Sequence, residues 1–230
     1  MKYYNNILIF DVETNGLIPK GKSPPIETLP YILQLSFIVY NPKLRCVTKS
    51  ANHYIKVDDH IDISEDITRL TGIDRITVND EGVHITHALK DFYESYMNCD
   101  CIVAHNIYFD RKMMQTEFER NLASLQQLGC ISAKNIFEKE FQLRNNIENF
   151  CTMNYGKAVC KIERTAENGE KYYKSPKLVE LYHHLFHNIP ENLHNSMVDT
   201  IVCFKCFAKM KLKQDLSNIP FTVIKTTPKA

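Results

Sequence analysis

The 230-residue chain is 44% hydrophobic and 24% charged with a net charge of +1, ordinary usage for a globular protein with a sizeable core. Its longest apolar runs fall far short of the roughly 18 residues that a membrane span needs, and the near-zero charge does not by itself announce a polyanionic partner. Eight cysteines without a regular framework, behind a polar N-terminus lacking a signal-peptide core, are expected to be reduced thiols in a cytoplasmic or nuclear protein that is not secreted.

No Gly/Ser- or Pro-rich linker divides the chain, so one domain is expected over residues 1–215, followed by a basic tail at 216–230. Residues 7–10 form an apolar run that enters Asp11-Val12-Glu13 and is broken by Asn15-Gly16, which reads as a strand ending in a turn. Residues 21–30 hold three prolines and form a loop, and residues 32–40 then alternate, with Leu33, Leu35, Phe37 and Val39 on one face. A weaker third strand at 52–57 would complete an antiparallel meander.

From Asp62, a candidate cap for a short helix ending near Thr71-Gly72, the period becomes helical, and residues 83–97 repeat apolar positions at helical spacing. Residues 101–104 read as a buried strand, 109–125 as a helix, and 132–143 as another. Asn168-Gly169, flanked by 159–164 and 170–174, predicts a basic hairpin with a type I′ turn. Ser175 and Pro176 are placed as N-cap and first position of a helix carrying Leu178, Leu181 and Leu185. A last helix over 196–212 has Met197, Ile201, Phe204 and Ala208 as its stripe. A meander followed by alternating helices and strands indicates an α/β fold.

Asp11 and Glu13, at i and i+2, point to the same face of their strand. Two carboxylates at the end of a buried strand repel and are costly to desolvate, a problem that a divalent cation removes; otherwise they are an ordinary exposed pair at a strand end. Hard oxygen donors without paired cysteines select Mg²⁺ or Mn²⁺. A second constellation, His105-Asn106-Ile107-Tyr108-Phe109-Asp110, stands where a buried strand hands over to a helix. In a third, Asp199 lies in the first turn of the last helix and His194 five residues earlier in the loop. A carboxylate on a helix is held rigidly, as a metal ligand must be, while a loop histidine can reach an attacking water and take its proton.

In that order, Asp11-Val12-Glu13-Thr14-Asn15-Gly16, His105-Asn106-x-x-Phe109-Asp110 and His194-x4-Asp199 resemble the three motifs of the DEDDh 3′-to-5′ exonucleases, the DnaQ-like group that includes the proofreading epsilon subunit. Leu70-Thr71-Gly72-Ile73, Cys151-Thr152-Met153 and Ser175-Pro176-Lys177-Leu178 extend the likeness, which spans residues 7 to about 207. The resemblance implies an RNase H-like fold, a mixed five-stranded sheet with helices on both faces, and a metal-dependent 3′-to-5′ exonuclease releasing nucleoside monophosphates by a two-metal-ion mechanism. It makes Asp11, Glu13, Asp110 and Asp199 the ligands of two Mg²⁺ or Mn²⁺ ions and His194 the general base. It further implies that Thr14 and Leu17 hold the terminal nucleotide.

His105 and Asn106 either contact substrate or orient the turn behind Asp110. The loop at 21–30 and the Asn168-Gly169 hairpin look longer than in a minimal member and should lie near the rim of the site. Cys203-x-x-Cys206 reads as core packing rather than a zinc pair, and His183, His184 and His187 as exposed positions on a surface helix. The expected partner is a single-stranded 3′ end, DNA ahead of RNA, with a separate polymerase subunit as a further candidate and no membrane. An RNA-trimming exoribonuclease and a non-catalytic nucleic-acid-binding or scaffold module are the alternatives.

Overall fold

The apolar run that opens the chain becomes β1 (Ile7–Thr14), the spine of a five-stranded sheet in the order β3-β2-β1-β4-β5. The computed structural model of the chain describes residues 3–19, 21, 24–190 and 193–216. β2 (Ile32–Asn41) pairs antiparallel with β1, and β3 (Cys46–Tyr54) antiparallel with β2, giving the expected meander. On the other side β4 (Cys101–Ala104) runs parallel to β1, and β5 (Glu148–Cys151) parallel to β4. The C-terminal ends of β1, β4 and β5 therefore share one edge of the sheet, and the acidic residues gather there.

Alternation along β1 feeds two cores. Leu8, Phe10 and Val12 face one layer with Phe92, Phe118 and Phe137; Ile7 and Ile9 face another with Leu181, Phe204 and Phe207. Helices α1 (Glu65–Thr71), α2 (Arg75–Asp80), α3 (Ile85–Tyr96), α4 (Ile107–Arg120), α5 (Leu122–Gln127) and α6 (Lys139–Arg144) precede β5. Of these, α3 and α4 bring Phe92, Tyr96, Met113 and Phe118 into the first layer, where the Phe92 ring meets Phe10 edge-on at 5.2 Å. After β5 come α7 (Thr152–Cys160), the hairpin β6 (Glu163–Thr165) and β7 (Lys171–Tyr173), α8 (Leu178–Phe186) and α9 (Ser196–Phe207), the last continued by a π-helical turn over Ala208–Leu212. Both sheet faces are covered, as expected, and no helix among the described residues is long and apolar enough to cross a membrane.

Several elements differ from the sequence expectation. The third strand is at 46–54 rather than 52–57: as an edge strand it buries only Val47 and Ala51, so it lacks an apolar alternation to read. The cap of α1 is Ser64, whose hydroxyl accepts from Ile67 N, while Asp62 offers its carbonyl to Asn15 Nδ2 at 3.0 Å. The helix expected at 109–125 breaks at Asn121, whose amide caps back onto the Glu117 carbonyl at 2.9 Å. Of the helix expected at 132–143 only α6 forms, because the Phe137 carbonyl is taken by Arg111 Nη2 and that of Ile136 by the Tyr96 hydroxyl. The first helical residue after Ser175-Pro176 is Leu178, with Lys177 at the cap and its N–H on Glu180 Oε2 at 2.7 Å.

The hairpin forms, but not on a type I′ turn. Gly169 (φ 84) has left-handed backbone and Asn168 does not; the turn runs Ala166 to Gly169, closed by Gly169 N on the Ala166 carbonyl at 2.9 Å. All eight cysteines are free, and Cys203 and Cys206 are buried in the second core as expected. His183, His184 and His187 are exposed. Of the expected basic tail, residues 217–230 lie outside the described residues.

Candidate active site

Because β1 alternates, Asp11 and Glu13 leave the sheet on the face that carries Ile7 and Ile9, the face that α9 covers. The first turn of α9 brings Asp199 over them. Ser196 seats that turn: its hydroxyl donates to the Asp11 carbonyl at 2.7 Å and its N–H to Gln34 Oε1 at 3.1 Å. Asp110 arrives from the first turn of α4, at the end of β4, where its Oδ1 accepts from Val12 N at 3.3 Å. Three separated segments thus converge on the C-terminal edge of β1.

The electrostatics are those of crowded, poorly solvated acids. Burial pushes Asp11 well above the usual carboxylate range, and the charges of Asp110, Asp199 and Glu13 push it further. Burial also raises Glu13 to about 8, aided by Asp199 and Asp110. Asp110 is raised by burial to about 8 despite the Val12 hydrogen bond, and Asp199 by burial to about 6 despite the His194 N–H. Among the described residues no cationic side chain relieves any of the four. Asp199 Oδ1 is buried without a hydrogen-bond partner. Together with the carboxylate oxygens of the four acids, this unmet acceptor fits a divalent cation.

His194 is exposed, on a left-handed residue (φ 68) just before α9. A ring nitrogen of His194 and carboxylate oxygens of Glu13 and Asp199 lie within 4.8 Å of one another. The geometry therefore brings together all five residues that the sequence singled out for chemistry.

The residues expected at the substrate differ in what surrounds them. Leu17, four residues after Glu13, is 84% exposed, whereas Thr14 is buried with its hydroxyl on the Gly16 carbonyl at 2.7 Å. Both ring nitrogens of His105 are engaged, Nδ1 with Thr152 Oγ1 at 3.0 Å and Nε2 with the Pro176 carbonyl at 3.2 Å. Burial lowers its pKa to about 4, so the ring is neutral and acts as a brace between β4, α7 and the segment before α8. Asn106 is exposed and left-handed (φ 64, ψ 49), opening α4 without a side-chain cap bond.

The sequence reading missed three contributors. Gln34 is fully buried in apolar β2, and that oddity was its signal. Tyr108, 75% exposed in the first turn of α4, lies two residues from Asp110. Arg120 ties down the loop before β2, donating to the carbonyls of Ile26, Leu29 and Pro30 at 2.7 to 2.9 Å. A cavity of about 880 Å³ beside Arg120, lined also by Tyr31, Ile55, Asp58 and His84, contains none of the four acids.

The family model for exonucleases of the RNase T type matches residues 8–207. The fold is similar to that of E. coli exonuclease I in complex with a dT13 oligonucleotide (TM-score 0.65, 15% identity, covering 91% of this chain and 42% of that one). It is also similar to the zinc-ion-bound form of the E. coli exonuclease I complex with single-stranded DNA (TM-score 0.64, 17% identity, 91% and 41%). A moderately thermophilic exonuclease I from Methylocaldum szegediense gives a TM-score of 0.64 at 14% identity, covering 90% and 41%. The chain thus spans well under half the length of these proteins. No curated protein sequence matches it. With the family model matched over residues 8–207 and an RNase H-like sheet beneath it, the chain belongs to the RNase T exonuclease family, within the DnaQ-like 3′-to-5′ exonuclease superfamily.

Proposed function

We propose that the chain is a metal-dependent 3′-to-5′ exonuclease that removes nucleoside monophosphates from single-stranded 3′ ends, DNA ahead of RNA. The observation that carries this reading is the convergence of four acids, Asp110 buried and the others half-buried, with no cationic partner among the described residues and with one unmet oxygen, beside an exposed histidine. Asp11, Glu13, Asp110 and Asp199 would hold Mg²⁺ or Mn²⁺, two ions per site. Such ions, when bound, neutralise the scissile phosphate and acidify the attacking water.

The chain's own residues supply the rest. His194 accepts the proton of the attacking water, a role suited to an exposed ring on a short loop. Asp199 steadies that loop by accepting the His194 N–H at 3.2 Å. Leu17 offers an apolar surface to the terminal base, and the backbone around Thr14 faces the sugar. His105 positions α4, and so Asp110, from behind. The preference for DNA is supported by the single-stranded DNA seen with the E. coli relatives, and the divalent ion by the zinc-bound form of one of them. An all-oxygen acid set favours the harder Mg²⁺ or Mn²⁺. The reading extends to a free-standing enzyme or one bound to a separate polymerase.

Matched single-stranded DNA and RNA, digested with Mg²⁺ or Mn²⁺ and with EDTA, test it. Metal-dependent release of mononucleotides, faster from DNA, is the expected result; no release from either by folded protein overturns it.

A further inference from the structure

The β6–β7 hairpin is left unused by the chemistry above. All six of its strand residues are exposed, and it stands apart from the five-stranded sheet. A two-stranded ribbon is marginal alone, so its anchors matter. Lys174 N closes the mouth on the Ile162 carbonyl at 2.9 Å, and Lys174 Nζ grips both Glu180 oxygens at 2.6 and 2.7 Å. Two residues on, the Pro176 carbonyl meets His105, which also holds Thr152. His105 and Thr152 follow directly on β4 and β5, at the sheet edge that carries the acids. The base of the hairpin is therefore pinned to the rim of the site.

Its two faces are unlike. Cross-strand pairing sets Arg164 opposite Tyr172, so these two share a face. The other face carries Glu163, Thr165, Lys171 and Tyr173, and there the Lys171 ammonium is neutralised by Glu163 at 2.7 Å. On the first face the Arg164 guanidinium has no ion pair or hydrogen bond among the described residues, and the half-exposed Tyr172 ring packs on no other ring. Exposed Lys157 and Lys161 precede it. Among the described residues this guanidinium pairs with nothing and the half-exposed ring across from it stacks on nothing. It has the makeup of a single-strand platform, a ring for a base and a cation for the adjoining phosphate.

We propose that the Arg164–Tyr172 face of this hairpin is a track for the single strand leading away from the bound 3′ end, Tyr172 stacking on a base and Arg164 contacting its phosphate. This rests on the exonuclease reading. It makes the hairpin a determinant of affinity for long substrates and leaves cleavage of the shortest ones to the acid cluster.

Fluorescence anisotropy of labelled oligothymidylates of about twenty and about four nucleotides, in EDTA so that nothing turns over, tests the track against site sizes typical of such platforms. Tyr172→Ala and Arg164→Ala should each weaken binding of the long strand about tenfold and leave the short one unchanged. Tyr172→Phe should bind normally, as should Tyr173→Ala on the opposite face. Unchanged long-strand affinity in Tyr172→Ala and Arg164→Ala, or equal loss in Tyr173→Ala, overturns the proposal. Unaltered melting temperatures confirm that the variants fold. Absence of nuclease activity in the unmutated protein would count against the exonuclease reading alone, since the binding comparison needs no catalysis.

Discussion

The backbone N–H of His194 donates to Asp199 Oδ2 at 3.2 Å, while the other oxygen of the same carboxylate is buried without a partner. One acid therefore does two things: it fixes the loop that carries the exposed histidine, and it presents an unmet acceptor to the cluster of Asp11, Glu13 and Asp110. Because the bond uses main chain, it survives a change of side chain at 194. His194→Ala should lower the cleavage rate by about 10² to 10⁴ while Mn²⁺ affinity stays near that of the unmutated protein. Parallel turnover and calorimetric titrations check this, and equal loss of both would make His194 a ligand rather than a base.

The crowding of acids sets the pH dependence of stability without metal. Glu13 and Asp110 have folded pKa values of about 8, above their ordinary values, and Asp11 is raised as well. Groups raised in this way contribute stability at low pH, below their unfolded pKa, and lose it as pH rises through the folded value. With EDTA, the melting temperature should fall between about pH 5 and pH 9 on that account, and Mg²⁺ or Mn²⁺ should flatten the decline. Asp110→Asn should weaken the same slope. A metal-free melting temperature that climbs over this range would contradict the cluster's electrostatics.

Arg120 offers a test at a distance. Besides three loop carbonyls it pairs with buried Glu117 at 2.7 Å and stacks 3.8 Å from the Tyr31 ring centre. The loop it clamps leads into Tyr31, whose N–H donates to Asn15 Oδ1 at 2.7 Å, and Asn15 lies two residues from both Glu13 and Leu17. Arg120→Met should destabilise by about 3 to 5 kcal/mol because Glu117 is left buried and unpaired. Arg120→Met combined with Glu117→Gln should recover part of that stability but retain a raised KM. Urea denaturation and steady-state kinetics separate the two effects.

Leu17, four residues after Glu13, and Tyr108, two before Asp110, are both largely exposed. Leu17→Ala and Tyr108→Ala should each raise KM several-fold for single-stranded DNA, with base contacts worth about 1 to 3 kcal/mol, and shift the melting temperature little. A fall in kcat at constant KM would place them outside the substrate path.

These predictions rest on features that the sequence displays unequally. The acids were legible because Asp11 and Glu13 interrupt a buried strand at i and i+2, and because Asp110 and Asp199 open helices. β1, β2 and β4 were legible from apolar content alone. β5 was not: its four residues bury only Phe150, and the strand exists because β4 offers an edge to pair with. α7 after it has a similarly weak pattern, burying only Thr152 and Gly156. Arg120 and the His105 brace could not be read locally, since their partners lie far off in sequence, on the loop before β2 and in the segment leading to α8. The turn at Asn168-Gly169 shows the limit of dipeptide reading, for only the glycine takes the left-handed backbone.

The central claim, an acid cluster that cuts from the 3′ end, is tested most directly with single-stranded DNA labelled at its 5′ end. The unmutated protein, Asp199→Asn and His194→Ala are compared with Mn²⁺ and with EDTA. The account predicts a ladder that shortens progressively from the 3′ end, present only with metal, absent in Asp199→Asn and strongly slowed in His194→Ala. Immediate release of a labelled mononucleotide, or digestion that persists in Asp199→Asn, would contradict it.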